Sequence, residues 1–301
     1  MPRALLVANT RARAGIHGVG SAAKRLLERG FAVDSMVTAD AREVPKLIGA
    51  HCVAADVVVV GGGDGTLNVA APALMDCGRP VGILPLGTAN DLARTLLIPF
   101  DPAEAMEVVA QGRTRRIDLG RVNGVYFFNV ASIGLSVRVA RRVTPELKQR
   151  FGALAYARAA ATEITRLRPF HARIDSDNEH LEVEAIQIAV GNGRYHGGGT
   201  PVAAQAEVDD RQLFLYSIPP QRLLKLLRLV PVIRRGGHGE TPHVLLLHGR
   251  EMTLHTAHPM PVDTDGELTA HTPARFEVLP EALPVFVPEA YEIERTRRAA
   301  H

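Results

Sequence analysis

The first third of the chain alternates short apolar runs with segments of helical periodicity, and glycine or a polar turn marks most junctions. Residues 4–9 have the pattern of a buried strand. After a loop rich in glycine and arginine, residues 21–29 carry Leu26 and Leu27 on a helical period that stops at Gly30. Residues 31–38 are strand-like again and 41–49 helical. Residues 56–60 read Asp-Val-Val-Val-Val, a β-branched run without alternation, as in a central parallel strand covered on both faces. Glycines follow, then a helix over 66–75, a strand at 80–84 and the polar run Pro85-Leu86-Gly87-Thr88-Ala89-Asn90-Asp91. Repeated units of this kind predict a parallel sheet flanked by helices.

Beyond residue 113 the texture changes. Residues 115–119, 120–123 and 125–130 read as consecutive short strands, with Asn123-Gly124 a strong hairpin signal. One Ala- and Leu-rich helix is expected over 145–166. Strands are expected at 171–175, 181–190, 213–218, 243–248, 252–256 and 266–272, so this half is β-rich and antiparallel. The reading places a nucleotide-binding α/β domain at 1–115 and a β-rich substrate domain at 116–301. Strands at 274–279 and 285–287 are candidates to return to the first domain.

Composition narrows this little further. With 301 residues, 46% hydrophobic and 22% charged, the chain can bury two cores and remain in solution. Two cysteines, Cys52 and Cys77, are too few for a disulfide framework, so a reducing compartment is expected. The first residues lack the features of a secretory signal, and no apolar stretch approaches the ~20 residues that span a bilayer. The expected location is cytoplasmic. A net charge of +3 excludes little, but the 5% aromatic content and the absence of aromatics interleaved with basic residues argue against a nucleic-acid partner.

The candidate chemistry starts at Gly61-Gly62-Gly63-Asp64-Gly65-Thr66. Glycines after a buried strand let the backbone approach a phosphate, and the following helix points its amides at the anion. A tight strand–helix connection would use the same glycines. Asp64 favours the first reading, because a carboxylate beside a phosphate calls for a divalent cation between them. The turn at 85–91 then supplies a second polar loop at the carboxyl end of a neighbouring strand, where ligands bind in open α/β sheets. The dinucleotide glycine pattern lacks its third glycine, and no Walker lysine is present.

Gly62-Gly63-Asp64-Gly65-Thr66-Leu67-Asn68 together with Pro85-Leu86-Gly87-Thr88-Ala89-Asn90-Asp91 resembles the diacylglycerol kinase catalytic domain superfamily, particularly its soluble bacterial lipid kinases. The resemblance implies a Rossmann-like, phosphofructokinase-like α/β domain, a C-terminal antiparallel β-sandwich domain and a cleft between them. It implies ATP as phosphoryl donor, Mg²⁺ as cofactor and a lipid hydroxyl as acceptor, diacylglycerol-like first. NAD kinases share the glycine loop and are the alternative enzyme; a nucleotide-binding protein without catalysis is the alternative outside enzymes.

Carried over residue by residue, the resemblance assigns ATP to Asn9, Thr38, Gly62, Gly63, Asp64, Gly65, Thr66, Leu67, Asn68 and Thr88. Asn9-Thr10 stands where the family has Asn-Pro. Asp265-Gly266-Glu267 matches the family's acidic motif facing the nucleotide. Glu267 is the expected general base, with Asp265 the alternative base or a metal ligand; read alone, the tripeptide is a hairpin turn. A structural Mg²⁺ is implied at the Asp210 side chain and the Glu207 and Gln212 carbonyls, where Arg211 replaces the family's glycine. Gly191 to Gly199 is expected to shape the cleft, with His196 a candidate phosphate contact. A lipid substrate implies transient contact with a membrane surface. Arg222, Lys225 and Arg228 recur every three residues among leucines, the composition of an interfacial helix or of a core helix. Arg138, Arg141 and Arg142 form a second basic cluster.

Overall fold

A computed structural model describes residues 1–10, 13–142, 168–176, 179–193, 195–196, 200–201, 206–221 and 244–299. The helix expected at 145–166 and the basic segment at 222–235 lie outside these residues. The chain divides into two compact units, Met1–Leu119 with Pro280–His301, and Gly120–Leu279.

The first unit is built from β1 (Arg3–Asn9), α1 (Arg13–Glu28), β2 (Ala32–Thr38), α2 (Val44–His51), β3 (Val57–Gly62), α3 (Asp64–Cys77), β4 (Val81–Pro85), α4 (Asp91–Thr95) and α5 (Pro102–Ala110). Its strands lie parallel in the order β2-β1-β3-β4. All six residues of β3 are buried, as its unalternating valines predict. Helices α1 and α5 pack together, as do α2 and α3. Because β1 continues to β2 on one side and β3 pairs on the other, the carboxyl ends of β1 and β3 flank the topological switch point.

The glycine- and arginine-rich stretch before residue 21 is helical from Arg13, not a loop. Its glycines serve close packing: a Cβ on Gly15 would lie 2.9 Å from the Thr10 Cβ, and one on Gly18 3.0 Å from the Leu86 Cδ2. Side-chain periodicity could not register contacts made by the absence of a side chain.

A long strand β5 (Thr114–Val122) carries the chain into the second unit, followed by β6 (Val125–Phe127), β7 (Val130–Gly134) and α6 (Leu135–Arg142). The expected break at 119/120 does not occur. Asn123 and Gly124 both have positive φ, 48° and 88°, forming the predicted tight turn between β5 and β6. Next come β8 (Phe170–Ser176), β9 (His180–Ala185), β10 (Gln187–Gly191), the short pair β11 (Tyr195–His196) and β12 (Thr200–Pro201), and β13 (Leu213–Ile218). The unit closes with β14 (Leu245–Gly249), β15 (Glu251–Thr256), β16 (Pro261–Thr264), β17 (Glu267–His271) and the start of β18 (Ala274–Phe286).

Two antiparallel layers make up this unit. One runs β14-β13-β10-β7-β16-β17, and the other contains β18, β15, β8 and β9 in that order. Phe127, Ile174, Met252, Leu254 and Phe276 from one layer meet Ile133, Ile188, Val190, Leu215 and Val262 from the other in a single buried cluster. The run expected as one strand at 181–190 is two, β9 and β10, which belong to different layers. The first half alternates apolar residues with Glu182 and Glu184 while the second is continuously buried, but no turn residue separates them, so the change of sheet is marked only by this shift of pattern. The last two expected strands are one, β18, whose Val285 pairs with Val81 of β4 in the first unit. Helix α7 (Glu289–Ala299) ends the described chain. The expected two-domain α/β and β-sandwich architecture holds.

Candidate active site

In the first unit the site is assembled at the ends of parallel strands. Gly63 is extended (φ −99°, ψ −175°) and starts α3 without any side-chain cap, so the first amides of a 14-residue helix converge at the carboxyl end of β3. This is the arrangement that binds anions, through donors and helix dipole together. Asn9, at the end of β1, donates from Nδ2 to the Thr66 hydroxyl at 3.2 Å, which ties the switch point to the first turn of α3. The Asn9 Oδ1 is buried and has no hydrogen-bond partner among the described residues. Such an orphaned acceptor is unusual enough to call for a donor from a ligand or water.

The second loop packs directly on the first. The Leu86 amide donates to the Gly62 carbonyl at 2.9 Å. A Cβ on Gly87 would sit 2.4 Å from the Gly63 Cα, and one on Gly62 would sit 2.5 Å from the Thr66 Cβ. Packing of the first loop on its own helix therefore demands Gly62, and packing between the two loops demands Gly87, whether or not a phosphate is present. Asn90 adopts a left-handed conformation (φ 50°, ψ 49°), accepts from the Gly87 amide at 2.9 Å and donates back to its carbonyl at 3.0 Å.

Asp64 has a role the sequence did not suggest. Its Oδ1 accepts from the Leu92 amide at 3.1 Å and so caps α4, whose own leading residue Asn90 is turned back to Gly87. The carboxylate expected to face only a cation and phosphate also joins the two loops. Gly65 is half-buried at the second position of α3, and Asn68 half-buried one turn on. Leu67 is buried, so its side chain belongs to the core, and its amide donates to the Gly63 carbonyl at 3.2 Å. Thr88 is exposed on the second loop. Thr38 is buried, with its hydroxyl donating to the Glu43 carboxylate and accepting from the Asp40 amide, a local turn at the end of β2. Asp91, which ends the polar run 85–91 and was assigned no role of its own, is buried beside Asn90.

In the second unit the chemistry centres on the turn between β16 and β17. Asp265 and Gly266 both have positive φ, 49° and 97°, giving the two-residue hairpin that Asp-Gly favours. The Asp265 carboxylate accepts from three successive amides, Phe128 at 2.8 Å, Asn129 at 3.2 Å and Val130 at 2.8 Å. A carboxylate so enclosed by donors is an anchor and a poor proton acceptor. The two residues expected as alternative bases thus stand in different surroundings, Asp265 held by amides and Glu267 exposed. The same segment receives the 191–193 loop: the Asn192 and Gly193 amides donate to the Asn129 carbonyl, and Asn192 Nδ2 to the Phe128 carbonyl at 3.0 Å. The His196 side chain lies outside the described residues.

Glu267 opens β17 on an exposed site, and its carboxylate has no hydrogen-bond partner among the described residues. Asp263, two residues before the turn, was missed. It is only 6% exposed, accepts from the Gly266 amide at 2.8 Å through Oδ1, and has a buried Oδ2 without a partner among the described residues. Burial, reinforced by the charge of Glu267, pushes its carboxyl up to about 6 against the stabilising Gly266 amide. Its alternation with Asp265 and Glu267 was the available signal.

The loop expected to hold a structural cation closes on itself. Asp210 accepts from the Glu207 amide through Oδ2 and from the Gln212 amide through Oδ1, both at 2.9 Å. Arg211 has φ 61°, the left-handed conformation that a glycine would adopt without strain. Among the described residues no three His, Cys, Asp or Glu side chains converge as a metal cluster.

Residues 3–122 match the diacylglycerol kinase catalytic domain, and residues 129–287 match the YegS C-terminal NAD kinase beta sandwich-like domain. The chain belongs to the diacylglycerol kinase catalytic-domain family. Its relatives in this kinase family include a Pseudomonas aeruginosa protein named "Probable lipid kinase YegS-like", 36% identical over 77% of this chain and 76% of the relative. A Mycobacterium tuberculosis protein named "Diacylglycerol kinase" is 34% identical over 91% of each chain. The crystal structure of a candidate diacylglycerol kinase from Bacillus anthracis superposes with a TM-score of 0.83 at 25% identity, covering 96% of both chains. Membership in this family of kinases implies use of a nucleotide. No helix among the described residues is long and apolar enough to cross a membrane.

Proposed function

We propose that the chain is an ATP- and Mg²⁺-dependent lipid kinase that transfers the γ-phosphoryl group to a hydroxyl of a diacylglycerol-like acceptor. The observation that carries this reading is the uncapped N-terminus of α3 at the switch point, beside the buried, unpartnered Asn9 Oδ1. The α3 amides would receive phosphate oxygens, and Asn9 Oδ1 would accept from a ribose hydroxyl or an amino group. The backbone of Gly62, Gly63 and Gly65 would form the cradle; Thr66 and Leu67, whose amides donate to the Gly63 carbonyl, would close its first turn, with Asn68, Thr38 and Thr88 around it. Asp64 would hold Mg²⁺, which when bound neutralises charge on the transferring phosphoryl group.

A lipid hydroxyl is a poor nucleophile at neutral pH, and Glu267 is the residue we assign to accept its proton. Its exposure, with no hydrogen bond to the described residues, leaves the carboxylate available, whereas Asp265 spends its oxygens on three amides. Glu207, Asp210 and Gln212 are assigned as ligands of a weak structural cation, in a loop that Asp210 already closes. The acceptor's lipid class draws support from the names of the relatives, and contact with a membrane surface follows from that class.

The test is incubation with labelled ATP and Mg²⁺ against a panel of lipids with NAD included, since the second unit matches an NAD kinase-like sandwich. Label in diacylglycerol supports the reading. Label in NAD and in no lipid overturns it, and ATP binding without transfer favours a regulatory protein. E267Q should lose transfer while keeping nucleotide affinity; a fully active E267Q removes that residue from the mechanism.

A further inference from the structure

Three acidic residues alternate along one hairpin, yet their surroundings differ sharply. Asp265 is enclosed by three amides, Glu267 stands exposed, and Asp263 is buried with one oxygen on the Gly266 amide and the other without a partner among the described residues. Glu267 makes no hydrogen bond to the described residues, so nothing attached to its own side chain sets its position. Its placement is inherited from the backbone of the turn. That backbone is held from two sides. On the incoming side, Asp265 is pinned to residues 128–130 through its carboxylate and through its own amide, which donates to the Val130 carbonyl at 2.9 Å. On the outgoing side Gly266, the residue directly before Glu267, is bonded to Asp263, and the ladder pairing of Glu267 with Thr264 follows it.

The register shows why this second hold is needed. The pairing of β16 with β17 shifts between Val262 and Asp263, so Asp263 pairs with Leu268 and Thr264 with Glu267. A bulge bends and twists its strand locally. Immediately beside it, two residues with positive φ reverse the chain. The Asp263 carboxylate spans this irregular stretch and fastens its far end.

We propose that Asp263 is a positioning residue for phosphoryl transfer, holding Glu267 in place through its hydrogen bond to the Gly266 amide. This rests on the assignment of Glu267 as base. The functional element is the acceptor oxygen, because it meets the amide that precedes Glu267. Burying the carboxylate carries a cost, visible in the upward push on its carboxyl, that an isolated hairpin would avoid by exposing this position. Displacing a reacting group by about 1 Å costs on the order of 100-fold in rate, so a loosened turn should appear in turnover before it appears in nucleotide binding.

The test compares D263A and D263N with wild-type in the full chain, measuring kcat, KM for ATP and the unfolding midpoint. D263A removes the acceptor, and its kcat should fall by about 10- to 100-fold with KM for ATP within about twofold. D263N keeps an acceptor oxygen of the same reach and should restore kcat to within about threefold of wild-type. If D263A does not fold, D263V takes its place, filling more of the buried space without supplying an acceptor. A truncated variant with wild-type kcat overturns the proposal, as does a folded D263N as impaired as the truncation. E267Q is assayed alongside. Full turnover in E267Q removes the underlying base assignment, whereas an inactive E267Q with a fully active D263A removes the positioning role alone.

Discussion

Replacing Asp263 by asparagine should stabilise the protein at neutral and alkaline pH and leave it nearly unchanged in acid. In the folded chain burial raises this carboxyl from 3.8 to about 6, so the folded state disfavours the ionised form. The unfolded chain releases the proton near its ordinary value. Below both values the proton is bound in either state and no penalty arises. As pH rises from about 4 to 6 the unfolded state is favoured increasingly, and above 6 the full cost is present. At ~1.4 kcal/mol for each tenfold change, the plateau is about 3 kcal/mol at pH 8, against roughly 0.5 kcal/mol at pH 4. Asparagine keeps the acceptor for Gly266 and carries no charge, so other effects of the swap are independent of pH and cancel in the comparison. The assay is urea unfolding of D263N and wild-type at pH 4, 6 and 8, followed by signals from the second unit. The stability gain of D263N should be about 2–3 kcal/mol larger at pH 8 than at pH 4. A difference that stays flat with pH, or grows toward acid, refutes the account of Asp263 as a buried carboxyl.

G87A should destabilise the first unit by about 1–3 kcal/mol and weaken ATP binding, because its Cβ would collide with Gly63; G20A, with open space around it, serves as the control and should be neutral or stabilising in urea unfolding. R211G relieves a left-handed arginine and should raise stability by about 0.5–1 kcal/mol, read from denaturant midpoints; a loss would refute the reading of strain at this position. Burial and a hydrogen bond with Cys52 push the Cys77 thiol up to about 11. Its alkylation by iodoacetamide should therefore keep accelerating above pH 9, and a rate that levels off near the ordinary thiol value of about 8.5 would contradict that environment.

Much of the fold was visible in linear patterns, and the exceptions share a cause. The valines of β3 could belong only to a covered parallel strand, and Asn123-Gly124 and Asp265-Gly266 form the tight turns their residue types favour. The start of α1 was hidden because Gly15 and Gly18 act by what they lack, letting Thr10 and Leu86 approach. The division of residues 181–190 between two layers left only a change from alternation to continuous burial, with no turn residue to mark it.

By itself the sequence determined the two-part architecture, the glycine loop at a strand end and the acidic hairpin, because each is a local pattern of residue types. Tertiary structure decided how the carboxylates differ. Asp64 caps α4 by accepting the amide of Leu92, Asp265 is consumed by three amides, Asp263 is buried under the turn, and Glu267 alone stands exposed on that hairpin. Four acidic side chains that look equivalent in the sequence acquire separate roles from burial and from the donors brought to them by distant segments, which no local pattern encodes.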